Sequence, residues 1–102
     1  MPKYLMLTTL TDEGRKNLRD NPDTVKEVDK EIELMGVKII SQYALLGQYD
    51  FVNILEAPSD EIAAKLAINL SANGTVTTLT LAAIEVDDLI ATLKKKKEPG
   101  KW

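Results

Sequence analysis

The side chains best suited to chemistry stand together in one short segment between two apolar runs. Gly47 can adopt a positive φ or allow a close backbone approach, and Tyr49 presents an aromatic ring with a hydroxyl group. The carboxylate of Asp50 can accept hydrogen bonds from turn amides or bind a cationic group. Three roles are open to this segment: holding a hairpin and a neighbouring subunit in register, contacting a ligand, or transferring a proton.

A second polar position follows in the next apolar run. Asn53 interrupts residues 51–55, which are otherwise apolar, and a buried amide without hydrogen-bond partners would cost about 1 to 3 kcal/mol. Because Val52 and Ile54 suit a helix-packed core, we expect Asn53 to lie on the face of its strand that points away from the helices. We expect other residues to join Asn53 in a weakly polar lining, although threonine is common in strands. These residues are Ser41, Gln42, Tyr43, Thr78 and Thr80.

The composition removes several classes of catalytic site. The sequence contains no cysteine, which excludes thiolate nucleophiles, iron–sulfur clusters and cysteine-ligated zinc. It also contains no histidine, the commonest general base at neutral pH and a frequent metal ligand. No dinucleotide fingerprint, phosphate loop, serine elbow or metal-ligand spacing occurs. We therefore assign no catalytic residue, no metal and no cofactor from the sequence.

Size and charge indicate one globular domain. The chain has 102 residues, of which 44% are hydrophobic and 28% charged, with a formal net charge of -3 and a pI of about 4.9. These values are typical of a cytosolic protein, and the charge has the wrong sign for a surface that follows nucleic-acid phosphates. The apolar start is too short for a signal peptide, and no run approaches the roughly 20 apolar residues of a membrane helix. We expect a cytoplasmic protein with no membrane or nucleic-acid partner.

The carboxyl end differs in composition from the rest of the chain. Residues 94–97 are four consecutive lysines, and the residues after them show no apolar period. We predict a domain over residues 1–93 and a flexible lysine-rich tail over residues 94–102. Lys94 to Lys97 are interpreted as a solvated run rather than a site for an anionic partner, because four lysines in an acidic chain make a weak field.

Apolar periodicity predicts the elements that must position these residues. Alternating or continuous apolar runs predict strands, and apolar residues spaced three and four apart predict helices. Thr11 and Ser59 are the expected caps of two of the helices, and Gly36 is the expected end of another. The predicted strands span residues 3–10, 37–45, 51–56 and 75–81, and the predicted helices span residues 12–20, about 22–35, 60–73 and 86–93.

The order of these elements predicts a ferredoxin-like α+β fold, β-α-β-β-α-β, with a four-stranded antiparallel sheet. Two right-handed crossovers place the helices on one side of the sheet, so the other face is left bare. The strands are apolar on both faces, since Leu5 and Leu7 alternate with Tyr4 and Met6. Covering about 600 Å² per subunit would contribute on the order of 15 kcal/mol before association costs. We expect a second copy to cover this face and form a dimeric α+β barrel; the alternative is that residues 86–93 fold back over it.

The hairpin carries a resemblance to a known family. The segment from Tyr43 to Val52, with Gly47-x-Tyr49-Asp50 at its centre, resembles the GYD-domain family, as do the residues from Tyr4 to Thr11 and Gly74-Thr75-Val76. The resemblance spans residues 3–93 and implies a member of the dimeric α+β barrel superfamily. The hairpin is also similar to one in the ligand-sensing domain of leucine- and asparagine-responsive regulators, where effector amino acids bind at subunit interfaces. Since no helix-turn-helix precedes the first strand, we do not expect direct DNA binding.

Two classes of function follow from these observations. The first is a stand-alone, self-associating module that binds a metabolite or a partner at its subunit interface. The second is a small cofactor-independent enzyme of oxygenase or isomerase type that uses the barrel interior, where the groups available for proton handling are Tyr43, Tyr49, Asp50, Asn53 and Glu56. The candidate ligand-binding residues are Gln42, Tyr43, Gly47, Gln48, Tyr49, Asp50 and Asn53.

Overall fold

The computed structural model describes residues 1–95, and its helices and strands follow the order expected from the sequence. The elements are β1 (Lys3–Leu10), α1 (Asp12–Asp20), α2 (Thr24–Leu34), β2 (Lys38–Ala44), β3 (Phe51–Glu56), α3 (Asp60–Ala72), β4 (Val76–Ala83) and α4 (Val86–Lys94). The predicted lysine-rich tail lies, from residue 96 onward, outside the described residues.

The two predicted helix caps are confirmed. The hydroxyl of Thr11 accepts a hydrogen bond from the Gly14 amide at 3.2 Å, and the hydroxyl of Ser59 accepts one from the Ile62 amide at 3.2 Å. Each cap satisfies an amide that the first helical turn leaves free. Helix α2 begins later than predicted, because the chain makes a turn after Asn21 in which the Thr24 amide donates to the Asn21 carbonyl at 3.1 Å.

The four strands form one antiparallel sheet in the order β2-β3-β1-β4. This is the strand order of the ferredoxin-like fold, so the predicted α+β class is confirmed. Strand β1 is central, and Met6 stands opposite Asn53 on β3 and opposite Thr80 on β4. Because residues opposite each other across a pleated sheet point to the same face, this register decides which side chains meet the helices.

Helices α1, α2 and α3 lie on one face of the sheet. Met6 is fully buried there, with Tyr4 and Leu55 beside it on neighbouring register positions. Ile32 of α2 and Leu66 of α3 are equally buried and close the core from above. The hydrophobic core is therefore a single layer between the sheet and the helices.

The opposite face of the sheet is apolar and uncovered. Two rows of side chains cross it, Leu7-Val52-Leu79 and Leu5-Ile54-Leu81. Leu79 is 43% exposed and Leu81 is 46% exposed. Helix α4 does not cover this face, since each of its residues is itself exposed. Within residues 1–95, no helix combines the length and apolarity that crossing a membrane requires.

Candidate functional site

The hairpin between β2 and β3 carries the Gly-x-Tyr-Asp segment. Gly47 has a φ of +117°, a backbone conformation that residues with a Cβ rarely adopt. The ladder closes at the base of the loop, where the Leu45 amide donates to the Asp50 carbonyl at 2.8 Å. Tyr49 is half-buried and Gln48 is exposed. Gly47 is thus required by the turn itself, whatever else the loop contacts.

Asp50 ties this hairpin to the central strand. Its carboxylate oxygen Oδ2 accepts a hydrogen bond from the Leu10 amide at 2.7 Å. Its own backbone amide donates to the Thr8 carbonyl at 2.8 Å. The side chain and the main chain of Asp50 therefore both hold the loop against the last part of β1. Without these contacts, backbone groups of β1 there would lack hydrogen-bond partners. This contact supports the first of the three roles considered for the segment.

A polar trio lies on the helix side of the sheet. The side-chain nitrogen of Gln42 donates to Oδ1 of Asp29 at 2.8 Å and to Oδ1 of Asn53 at 2.8 Å. Asn53 is only 5% exposed, so this pairing supplies the partner that its burial requires. The trio joins three elements, since Asp29 comes from α2, Gln42 from β2 and Asn53 from β3.

The prediction that Asn53 faces away from the helices is wrong. Asn53 stands opposite the fully buried Met6, whereas Val52 and Ile54 stand opposite Leu7 and Leu5 on the uncovered face. Val52 and Ile54 suit either face of this sheet, because both faces are apolar. Their hydrophobicity therefore could not decide the orientation of β3. Gln42 on β2, which also bonds to Asp29 on α2, donates a hydrogen bond to Asn53 and so offsets the cost of burying its amide on the helix side.

The weakly polar lining predicted around Asn53 is divided between the two faces. Gln42, Thr78 and Thr80 share the helix side with Asn53, because they pair with Asn53, Thr8 and Met6. Ser41 and Tyr43 lie on the uncovered face, opposite Ile54 and Val52. The candidate ligand-binding residues accordingly separate into a hairpin group, a helix-side pair and Tyr43 alone on the uncovered face; the hairpin group is Gly47, Gln48, Tyr49 and Asp50.

Two structurally important residues, Asp29 and Gly14, were not predicted from the sequence. Asp29 follows Val25 by four positions and precedes Ile32 by three, so it lies on the apolar stripe of α2, which is the signal that could have identified it. Gly14 lies where a Cβ would come within 2.0 Å of the Thr75 carbonyl oxygen. In the sequence, this close approach to Thr75 is marked by the glycine itself, which stands inside a helix where alanine would be favoured.

Tyr4 extends the polar contacts to α3. Its hydroxyl donates to the carboxylate of Asp60 in the first turn of that helix. This hydrogen bond, with burial of the phenol and the negative charge of Asp60, raises the pKa of Tyr4 to about 12. Asp60 and Glu61 both lie in the first turn of α3, where the helix dipole favours negative charge. No group of three or more metal-ligating side chains occurs within residues 1–95.

Comparison with known proteins places the chain in a family. The family model described as the GYD domain matches residues 4–93. A Thermus thermophilus protein described as "Glutamine synthetase and cystathionine beta-lyase binding protein" is 48% identical over 95 residues, which cover 92% of this chain and 100% of that protein. The family match extends over most of the chain, and this relative is similar over its whole length.

Two solved structures share the fold at low sequence identity. MtbAldR superposes with a TM-score of 0.61 and 18% identity, covering 82% of this chain and 52% of that one. The Mycobacterium tuberculosis leucine response regulatory protein, LrpA, superposes with a TM-score of 0.59 and 17% identity, covering 82% of this chain and 51% of that one. The chain thus spans about half the length of these two proteins, and the likeness concerns the fold alone. From the family match and the Thermus relative together, the chain belongs to the GYD-domain family.

Proposed function

We propose that this protein is a non-catalytic assembly module that self-associates through its uncovered sheet face and binds an enzyme of amino-acid metabolism. The observation that carries the proposal is the apolar surface that the single chain leaves exposed. The relative that is 48% identical is described as binding glutamine synthetase and cystathionine β-lyase, which makes these two enzymes the first partners to test.

The two apolar rows support self-association. Leu7-Val52-Leu79 and Leu5-Ile54-Leu81 cross three adjacent strands without a charged residue. Soluble monomers rarely leave contiguous apolar patches of more than a few hundred Å² in water. A second copy presents the same rows, so a two-fold axis that lies between the two sheets and parallel to them brings like faces together and closes a dimeric α+β barrel.

Helix α4 provides a second apolar surface, which suits an enzyme partner. Val86, Leu89, Ile90 and Leu93 recur at helical spacing and are all exposed. Glu85, which precedes the helix, accepts a hydrogen bond from Lys3; the bond raises the pKa of Lys3 and lowers the pKa of Glu85. This pair joins the start of α4 to Lys3, the first residue of β1. An anchored amphipathic helix with a free apolar stripe is a common way to enter a groove on another protein.

The hairpin group would lie near the edge of such a dimer, where a metabolite could be held between subunits. We propose that Gly47, Gln48, Tyr49 and Asp50 contact such a ligand. The enzyme alternative has less support. Asn53, one of its five candidate groups, lies on the helix side rather than on the face that would line a barrel, and the carboxylate of Asp50 already accepts a hydrogen bond from Leu10.

The test is a binding measurement with purified enzymes from the same organism. Immobilised protein should bind glutamine synthetase or cystathionine β-lyase at concentrations of about 10 μM or below. The double variant Leu89→Ser and Ile90→Ser should weaken binding at least tenfold, without changing oligomer size. Ile68→Ser, which alters an exposed residue of α3, is the matched control and should bind as the wild type does. Failure of both enzymes to bind the wild-type protein would refute the assignment of partners.

A further inference from the structure

A cavity of about 130 Å³ lies between the sheet and the helices, inside one protomer and on the side away from the uncovered face. Apolar side chains from strands and helices line most of it, among them Leu10, Val25, Val28, Phe51, Leu70 and Val76. A cavity of about 150 Å³ is large enough to hold benzene. The space therefore fits a compact organic molecule of about six non-hydrogen atoms.

One part of the cavity wall is polar and built from the trio already described. Gln42, Asn53 and Asp29 all line the cavity. The side chain of Asp29 is 14% exposed, and Asn53 is more deeply buried. Both N–H groups of Gln42 are used within the trio, so its remaining polar atom is a carbonyl oxygen, which accepts hydrogen bonds. Asp29 uses Oδ1 in the trio and retains Oδ2 as a second acceptor.

The charges around the cavity favour a cation. Among residues 1–95, the charged side chains that line it are those of Asp29 and Glu31, and both are acidic. In the part of the chain that the structure describes, Asp29 pairs with Lys26, whose Nζ lies 4.0 Å from Oδ2 on a side chain that is 78% exposed. Because this ion pair is long and its lysine is exposed, it neutralises the charge of Asp29 only weakly. A carboxylate ligand would meet like charge here, whereas an ammonium group would meet a partly buried carboxylate with a free oxygen.

We infer that this cavity binds a small aliphatic primary amine, with its ammonium group on Asp29 and its hydrocarbon body among Val25, Val28 and Leu70. The trio orients the carboxylate, because Gln42 fixes Oδ1 and leaves Oδ2 for the ligand. The site is separate from the proposed assembly surfaces, since it lies on the other side of the sheet. Ligand binding and enzyme binding can therefore succeed or fail independently.

The experiment is a titration of the full-length protein followed by ¹H–¹⁵N and methyl NMR spectra, with three probes of one hydrocarbon skeleton. The probes are 3-methylbutan-1-amine, 3-methylbutan-1-ol and 3-methylbutanoate. We expect the amine to give saturable shifts at the side-chain amides of Gln42 and Asn53 and at the Val25 and Val28 methyl groups. The alcohol should bind more weakly, and the carboxylate should not bind at matched concentrations.

Two variants separate the polar and apolar parts of the site. Asp29→Asn should weaken amine binding about tenfold and leave the alcohol unaffected, whereas Asp23→Asn, which does not line the cavity, should change neither. Val28→Phe should fill the space and abolish binding of both. Should Val28→Phe not fold, the comparison of the three probes and of the two aspartate variants still decides the matter.

The inference is overturned by any of three results. The first is the absence of saturable shifts at cavity residues with the amine at about 50 mM, well above the weakest affinity of interest. The second is equal binding of the amine and the carboxylate, which would remove the role given to Asp29. The third is a set of shifts confined to the uncovered sheet face, around Leu79 and Leu81.

Discussion

The carboxylate of Asp50 accepts a hydrogen bond from the backbone amide of Leu10, with 2.7 Å between the two atoms. The contact joins the β2–β3 hairpin to the last residue of β1, immediately before the chain enters α1. The aspartate of the Gly-x-Tyr-Asp segment therefore has a defined place in the fold, independent of any ligand.

Asp50→Ala should lower the free energy of unfolding by about 1 to 3 kcal/mol, because it leaves the half-buried Leu10 amide without its acceptor. Asp50→Asn keeps an acceptor oxygen and should cost less. The measurement is urea unfolding followed by circular dichroism. Gln48→Ala, in the same loop but exposed, is the control and should stay within about 0.5 kcal/mol of the wild type. Equal stability of the two alanine variants would contradict the structural role of Asp50.

Gly14→Ala should destabilise the protein although it places alanine in a helix. Helix propensity alone would favour alanine by about 1 kcal/mol. The added Cβ would come within 2.0 Å of the backbone oxygen of Thr75, so α1 or the start of β4 must move, at a cost of about 1 to 3 kcal/mol. Thermal and urea unfolding would measure the change. Lys16→Ala on the exposed side of α1 is the control, and a stabilised Gly14→Ala protein would show that the close approach is absent.

Tyr4 should ionise late in an alkaline titration. Its pKa is raised from the ordinary value of 10.0 to about 12 by the hydrogen bond to Asp60, so one of the three tyrosines should form phenolate only near pH 12. Ultraviolet absorbance of the phenolate measures this step. It should disappear in Tyr4→Phe and remain in Tyr43→Phe, which removes an exposed tyrosine.

The same shift sets the sign of a stability effect. Because the folded protein keeps the Tyr4 phenol protonated above pH 10, the stabilisation from this group is fully present below pH 10 and is lost as the pH rises to about 12. Between those values the wild-type protein should lose stability more steeply than Tyr4→Phe. Parallel pH profiles for the two proteins would contradict the Tyr4–Asp60 bond.

Leu79→Glu should dissociate the proposed dimer. Leu79 lies in the Leu7-Val52-Leu79 row, and a charge there would be buried without a partner when two copies meet. We expect sedimentation analysis at about 10 μM to give a dimer or larger species for the wild type and a monomer for the variant. Ile68→Glu adds the same charge at a position on α3 that is 66% exposed, so it should leave the oligomer intact. An unchanged sedimentation coefficient for Leu79→Glu would refute association through this face.

Local chemistry was sufficient to predict the elements. The bounds of β1 and β3 were predicted to the residue, and α1 begins at the predicted residue and ends close to the predicted one, because a cap, a proline or a change of apolar period delimits each element. Strand β4 was predicted too short. It continues to Ala83 because Ala83 pairs with Lys3 at the far end of β1, and a pairing partner is not visible in the segment itself.

The polar site was less predictable than the elements. Gln42 and Asn53 were candidates from their residue types, but their partner Asp29 belongs to a distant helix, and the three meet only when α2 crosses the sheet. The approach of Gly14 to Thr75 likewise joins positions far apart in the chain. Such contacts depend on how the elements pack, which residue spacing within one element does not specify.

From sequence alone came the ferredoxin-like order of elements, the helix caps and the apolar character of both sheet faces, because each depends on residues near one another along the chain. The tertiary structure decided which of those faces the helices cover. In a strand considered by itself, two apolar faces are interchangeable. In the folded protein, Asn53 points toward the helices because it stands opposite the buried Met6 and accepts a hydrogen bond from Gln42, which also bonds to Asp29. Val52 and Ile54 therefore lie on the uncovered face.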